Sequence, residues 1–150
     1  MLKKSLLTLI CVFCSTQVAF SKEIPVKIKP MQKITTSNLL VKEGDSIDFV
    51  VSEDVLINSE LRLKKGERVQ GIITGLEDND FVVKPAKLYI ENFRTTTVSG
   101  KPIKLKGIIY KSGSEHRVFG EFLIFDLLRG GEVQIKPEKD EFTIYIEENL

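Results

Sequence analysis

Residues 61–76 read LRLKKGERVQGIITGL, and their spacing decides the fold class. Val69, Gly71 and Ile73 fall on one face of an extended chain, with Ile72, Thr74 and Leu76 on the other. Successive side chains of a strand point to opposite faces, so a period of two marks a half-buried strand. Lys64-Lys65-Gly66-Glu67 leads into this run as a turn, because glycine accepts positive φ at no steric cost. The stretch is a strand, a turn and a second strand.

The same period extends in both directions. Ile24, Val26 and Ile28 alternate with Lys27 and Lys29, and Ile47, Phe49 and Val51 alternate with Asp48. Leu88, Ile90 and Asn92 oppose Tyr89, Glu91 and Phe93. Ile103, Leu105 and Gly107 oppose Lys104, Lys106 and Ile108, and Phe142, Ile144 and Ile146 oppose Thr143, Tyr145 and Glu147. Turn residues separate the runs, at Glu43-Gly44-Asp45, Ser99-Gly100-Lys101-Pro102 and Ser112-Gly113-Ser114-Glu115. The pattern predicts an all-β fold, a compact antiparallel β-barrel or sandwich of about seven to eight strands. One segment breaks the rhythm: 119–129, FGEFLIFDLLR, followed by Gly130-Gly131. It is expected to form one short helix plugging an end of the barrel, with a buried strand as the alternative. The first residues after Ser21 and the Pro85-Ala86-Lys87 region are expected to be the least well paired, since proline cannot donate to a ladder.

The N-terminus reads as an export leader. Lys3 and Lys4 are followed by an apolar run at 6–13, LLTLICVF, and Ala19-Phe20-Ser21 places small residues before a cut at Lys22. That is the three-part pattern of a signal peptide. The expected organisation is a signal peptide at 1–21, cleaved between Ser21 and Lys22, and a single β-barrel or sandwich domain at 22–150. The expected location is the periplasm or the extracellular space. No stable membrane anchor is expected after cleavage, because the apolar run falls short of the about 20 residues a spanning helix needs. Both cysteines, Cys11 and Cys14, lie in the leader, so thiol catalysis, disulfides and thiolate metal sites are excluded for the processed domain. Removing the two leader lysines from 22 basic residues leaves 20, against 21 acidic. Such a balance speaks against a nucleic-acid partner.

Reaction chemistry is sparsely represented. His116 is the one histidine and stands in a Ser/Gly-rich turn, without the partners a triad or a zinc site requires. Glu77-Asp78-Asn79-Asp80 is the densest acidic cluster and reads as a solvated turn, without the glycine and distal glutamate of a calcium loop. No catalytic residue, metal ligand or cofactor is expected. The candidate binding residues are Lys101, Lys104, Lys106 and Lys111 along one predicted hairpin, with Tyr89 and Phe93 sharing a face with Glu91. A lysine row suits an anionic glycan or lipid, but lysines also guard strand edges against aggregation. Tyr89 and Phe93 suit either an exposed contact patch or burial. A carboxylate-based hydrolase is a third possibility, since carboxylate separation is a three-dimensional quantity.

Three segments together resemble a known family: 61–73 (LRLKKGERVQGII), 98–105 (VSGKPIKL), and 133–137 (VQIKP) with 142–146 (FTIYI). They are similar to turns and strands in the β-barrel domain of conjugation and type IV secretion channel scaffold proteins. The resemblance covers residues 44–150. It implies a barrel and a structural role in the bacterial cell envelope without catalysis, and it transfers no functional residue. The chain departs from that family in having no proline-rich linker, and its turn Pro137-Glu138-Lys139-Asp140-Glu141 lacks the family's glycine. The resulting expectation is an exported, non-enzymatic structural or binding module that meets an envelope protein, or a second copy of itself, through a strand edge.

Overall fold

The computed structural model describes residues 22–36, 41–78, 84–113 and 131–148. In chain order the strands are β1 (Lys22–Pro30), β2 (Ile34–Thr35), β3 (Ser46–Val51), β4 (Val55–Ile57), β5 (Glu60–Leu63), β6 (Arg68–Glu77), β7 (Lys87–Thr96), β8 (Pro102–Leu105), β9 (Ile109–Ser112), β10 (Gln134–Ile135) and β11 (Phe142–Glu148). The fold is all-β, with no helix among the described residues. The helix expected at 119–129 lies outside the described residues, as do the leader with Ser21, and His116.

Seven strands form one antiparallel sheet in the order β11-β1-β3-β6-β7-β8, with β9 also pairing β7. The sheet is nearly closed into a barrel. Just beyond β8, Lys106 donates its N–H to the Tyr145 carbonyl and accepts the Tyr145 N–H, both at 2.8 Å, so the last strand meets β11. This bond pair explains why a proline is tolerated in β1. Tyr145 turns both its peptide groups toward Lys106, so its pair with Pro25 across the ladder is a non-hydrogen-bonded one. The N–H that Pro25 lacks is one the β1–β11 ladder does not use. It would have faced the other edge of β1, which has left β3 by this point: Ser52 N–H to the Lys27 carbonyl, at 2.8 Å, is the last bond on that side among the described residues. Proline there blunts an open edge.

The alternating residues fill the interior. Val26, Ile28, Phe49, Val69, Leu88, Ile90 and Ile144 are fully buried. Phe49 meets Phe93 edge-on at 5.9 Å between ring centroids and Phe142 at 6.3 Å. Each such side chain contributes about 1.5–3 kcal/mol by leaving water. Two small two-stranded ladders add buried residues to the core. In one, β2 pairs β10, burying Ile34 and Ile135, and the Val133 N–H donates to Thr36 Oγ1 at 3.0 Å. In the other, the β4–β5 hairpin turns through Asn58 and Ser59, at φ 52° and 67°. Two consecutive positive φ values make a type I′ turn, whose twist suits a tight hairpin. Val55, Ile57 and Leu63 of this hairpin face inward.

Two expectations from strict alternation are overturned by β-bulges. Gln70 of β6 opposes Arg94 of β7, yet Ile72 opposes Glu91, so β7 carries one extra residue. Asn92, at φ 56°, sits within it. Glu91 and Asn92 consequently both face outward, and Phe93 turns inward to join Leu88 and Ile90. Asn92 therefore does not share the face of Leu88 and Ile90. Further on, Ile73 opposes Ile90 while Gly75 opposes Tyr89, so the extra residue now lies in β6. This returns Leu76 to the core side, where it is half-buried against the interior. Pro85-Ala86-Lys87 is also better fixed than expected. Ala86 is buried, donates to the Gly131 carbonyl at 3.1 Å and accepts from Gly113 N–H at 2.9 Å. The residues after Ser21 enter the β1–β11 ladder directly at Lys22.

Candidate binding surface

The four lysines do not form a hairpin row. β8 and β9 both pair with the same edge of β7, in succession, and Lys106-Gly107-Ile108 crosses between them opposite the bulge. Gly107 is required here by crowding: a Cβ would lie 2.8 Å from Ile144 Cγ2 and 3.3 Å from the Ile144 backbone. The crossing thus hugs β11 closely enough for Lys106 to pair with Tyr145.

The four lysines have different fates. Lys106 forms an ion pair with Glu23 at 3.2 Å. The hydrogen bond to Glu23, followed by the charges of Glu147 and Glu23, raises its pKa above the ordinary lysine value. Lys111 pairs with Asp140 at 2.8 Å. Asp140 also accepts the Lys136 N–H at 2.7 Å, closing the turn that leads into β11. Burial pushes the Asp140 carboxyl up, but Lys111 and the Lys136 N–H outweigh it and hold the group below the usual carboxylate range. Lys101 lies in the turn before β8, its N–H donating to Thr97 Oγ1 at 3.1 Å. Lys104 is exposed and directly opposite Arg94.

The two aromatic candidates separate. Phe93 is fully buried and is no part of a contact patch, because the bulge has turned it into the core. Tyr89 stays outside, half-buried, its ring 5.1 Å from that of Tyr110 and tilted by 38°. Tyr89 lies across Gly75, where a Cβ would come within 3.0 Å of Tyr89 Cδ2. Beside this pair, Glu77 of the acidic cluster is bound to Lys87 at 2.8 Å. Asn79 and Asp80 are outside the described residues.

A groove of about 590 Å³ runs along the barrel closure. It is lined by Leu105, Gly107, Ile108 and Tyr145 together with the charged residues Glu23, Glu91, Glu147, Lys104 and Lys106. Ile108 is 65% exposed and nearby Tyr110 51%. A smaller hollow of about 90 Å³ shares Asn92, Lys104 and Leu105 with this groove and adds Arg94. A third, about 340 Å³, shares Arg94 and continues past Gln70, Arg68 and Thr96. Arg68 is itself committed, donating from Nε and Nη2 to the two Asp48 carboxylate oxygens at 2.8 and 2.6 Å. No group of three or more His, Cys, Asp or Glu residues able to hold a metal ion occurs among the described residues.

Sequence reasoning found Lys104, Lys106 and Tyr89 in this region and missed Arg94, Glu91, Ile108 and Tyr110. The signals that point to them are Asn92, a residue tolerant of positive φ in the middle of an alternating run, and Gly107 between two others. Compared with known proteins, the chain matches no family model, no curated protein and no solved structure.

Proposed function

We propose that the chain is an exported, non-catalytic module of the bacterial cell envelope that docks a partner protein on the outside of its barrel. One observation carries the reading. The interior is packed with fully buried side chains, while the wall where β7, β8, β9 and β11 meet leaves Arg94, Lys104, Ile108 and Tyr110 uncovered around a groove. The leader pattern at 1–21 supports export to the periplasm or beyond. The turn-and-strand resemblance to secretion-channel scaffold barrels supports a structural rather than enzymatic role. Self-association through the β1 edge draws less support, because Pro25 removes a donor from that edge.

A second reading, an anionic glycan or lipid ligand, is favoured by the exposed Arg94–Lys104 pair. It is weakened by the ion pairs that already neutralise Lys106 and Lys111.

The test is photo-crosslinking in bacterial cells expressing the full chain, with the photoreactive residue at Ile108 and, as control, at Lys64. The proposal expects a discrete protein adduct in the envelope fraction from position 108 and none from position 64. Retention of the chain in the cytoplasm, or absence of any adduct from position 108, contradicts it.

A further inference from the structure

The β4–β5 hairpin leaves one strand edge uncovered. β4 pairs with β5 and with no other strand among the described residues. β5 is met on its far side, where the Val98 N–H donates to the Arg62 carbonyl at 3.1 Å. The open side is therefore the outer edge of β4. The two-residue loop Asn58-Ser59 makes Ile57 and Glu60 the hydrogen-bonded pair beside the turn, so Leu56 and Leu61 form the next, non-hydrogen-bonded pair. The N–H and C=O of Leu56 consequently point away from β5, into the open side.

The side chains at this edge are apolar. Leu56 is 58% exposed, and Leu61, directly opposite it, is 39% exposed. Val55, Ile57 and Leu63 on the other face are buried, so one face of the hairpin belongs to the core and the other presents two adjacent leucines. Sheets blunt an open edge with lysine, proline or an inward charge. β1 carries Pro25, and β8 carries Pro102 and Lys104. β4 reads Val-Leu-Ile, with none of these, and its one protection is its shortness. The acids that precede it are committed within the chain. Glu53 pairs with Lys27 at 3.1 Å, and Asp54 accepts the Lys65 N–H at 2.7 Å.

An occupant of this edge must offer one donor, one acceptor and an apolar side chain opposite Leu56. β4 itself meets these terms. Set antiparallel about a two-fold axis at Leu56, two copies exchange both Leu56 hydrogen bonds. Val55 then faces Ile57 of the second copy, and Asp54 faces Asn58, so no like charges meet. Centring the pair one residue away would set Leu56 against Asp54 or Asn58. The apolar match therefore selects one register, in which the outer face carries a row of four leucines, Leu61 and Leu56 from each copy.

We propose that β4 pairs with the β4 of a second copy of this chain, joining two hairpins into one four-stranded antiparallel sheet. The surface shares no residue with the groove beside Ile108, and the inference does not rest on the docking reading above. Three residues of strand bury far less than the about 1,200 Å² of a stable interface, so the dimer is weak and reversible. It forms when copies are concentrated or held side by side.

The test takes the purified protein from about 10 µM to about 1 mM in sedimentation equilibrium, with nitrogen-15 amide shifts recorded over the same range. The expected result is an average mass that rises toward twice that of the chain and no further. The amides of Val55, Leu56 and Ile57 should move, and the Leu56 amide should exchange more slowly at the upper end. Leu56→Lys should weaken the association at least about tenfold while leaving the rest of the spectrum in place. Met31→Lys, at a residue 54% exposed elsewhere on the surface, should leave the association unchanged. In cells, a photoreactive residue at position 56 should give an adduct of two copies of the chain. A monomer throughout, assemblies that grow beyond two, shifts confined to residues away from β4, or a Leu56→Lys protein that associates like the parent would each overturn the proposal. An adduct from position 56 with a different protein alone would assign the edge to a foreign strand and overturn it as well.

Discussion

Adding one methyl group at Gly71 tests the packing inside the wall. A Cβ on Gly71 would lie 2.6 Å from Phe93 Cε1, 2.9 Å from Phe93 Cδ1 and 2.8 Å from Ile90 Cγ2. Ordinary carbon contacts need about 3.5–4.0 Å, so close to an ångström must be found. Neither neighbour has room to give it. Phe93 and Ile90 are both fully buried, and Phe93 already rests edge-on against Phe49. Overpacking of this kind costs about 1–3 kcal/mol, and the stiffer unfolded chain of alanine returns only about 0.5–1 kcal/mol. Two fully buried neighbours must both yield, so the cost belongs in the upper part of that range, about 2–3 kcal/mol, and we expect Gly71→Ala to lose about 1–2.5 kcal/mol net, read as a lower urea midpoint at unchanged m-value. The corresponding fall in Tm is on the order of 4–10 °C. Gly75→Ala is the matched control on the outer face. Its nearest contact is Tyr89 Cδ2 at 3.0 Å, on a half-buried ring that can swing outward, and a change below about 0.5 kcal/mol is expected. The double variant decides the cause. Phe93→Leu alone should cost about 1 kcal/mol or more, but combined with Gly71→Ala it should cost less than the sum by at least about 0.5 kcal/mol. Strict additivity, or a Gly71→Ala protein as stable as the parent, would refute the placement of Phe93 over Gly71 and with it the bulge.

Two further outcomes follow from the same geometry. Asn92 sits at φ 56°, so Asn92→Gly should be near neutral, whereas Asn92→Val should lose about 1–2 kcal/mol in urea denaturation. Asp140 has its folded pKa depressed below the unfolded value, because Lys111 and the Lys136 N–H outweigh its burial. The stability it contributes is therefore complete above the unfolded carboxylate pKa and is lost as pH falls through the lower folded pKa. Asp140→Asn should be less stable than the parent at pH 7, and the gap measured by thermal melting should shrink toward low pH; a gap that is constant with pH would contradict the assignment.

The sequence was most legible where the chain keeps an unbroken period of two. Val26 and Ile28, Ile47 and Phe49, and Ile144 and Ile146 all lie inside as their spacing indicates. It was least legible where one residue is inserted into a ladder. In LYIENF the tolerance of Asn92 for positive φ hints at an insertion but does not place it, because a bulge is defined by the partner strand, and the partner is known only once β6 and β7 are in register. That single residue moved Phe93 from a candidate contact patch to the centre of the core. The binding surface was half-visible for the same reason. Lysines can be counted in a sequence, but Lys106 and Lys111 find Glu23 and Asp140 through contacts far apart along the chain. Arg94 gained its significance only by standing opposite Lys104.

The central claim is that the first and last strands pair and that Tyr145 turns its peptide groups away from Pro25 to close the wall. A proton NOE experiment reads this directly, since Hα atoms of a non-hydrogen-bonded antiparallel pair approach closely. The account predicts a strong Hα–Hα cross-peak between Pro25 and Tyr145, together with slow exchange of the Lys106 and Tyr145 amides. A cross-peak from Pro25 to Ile144 or Ile146 instead, or rapid exchange of both amides, would contradict it.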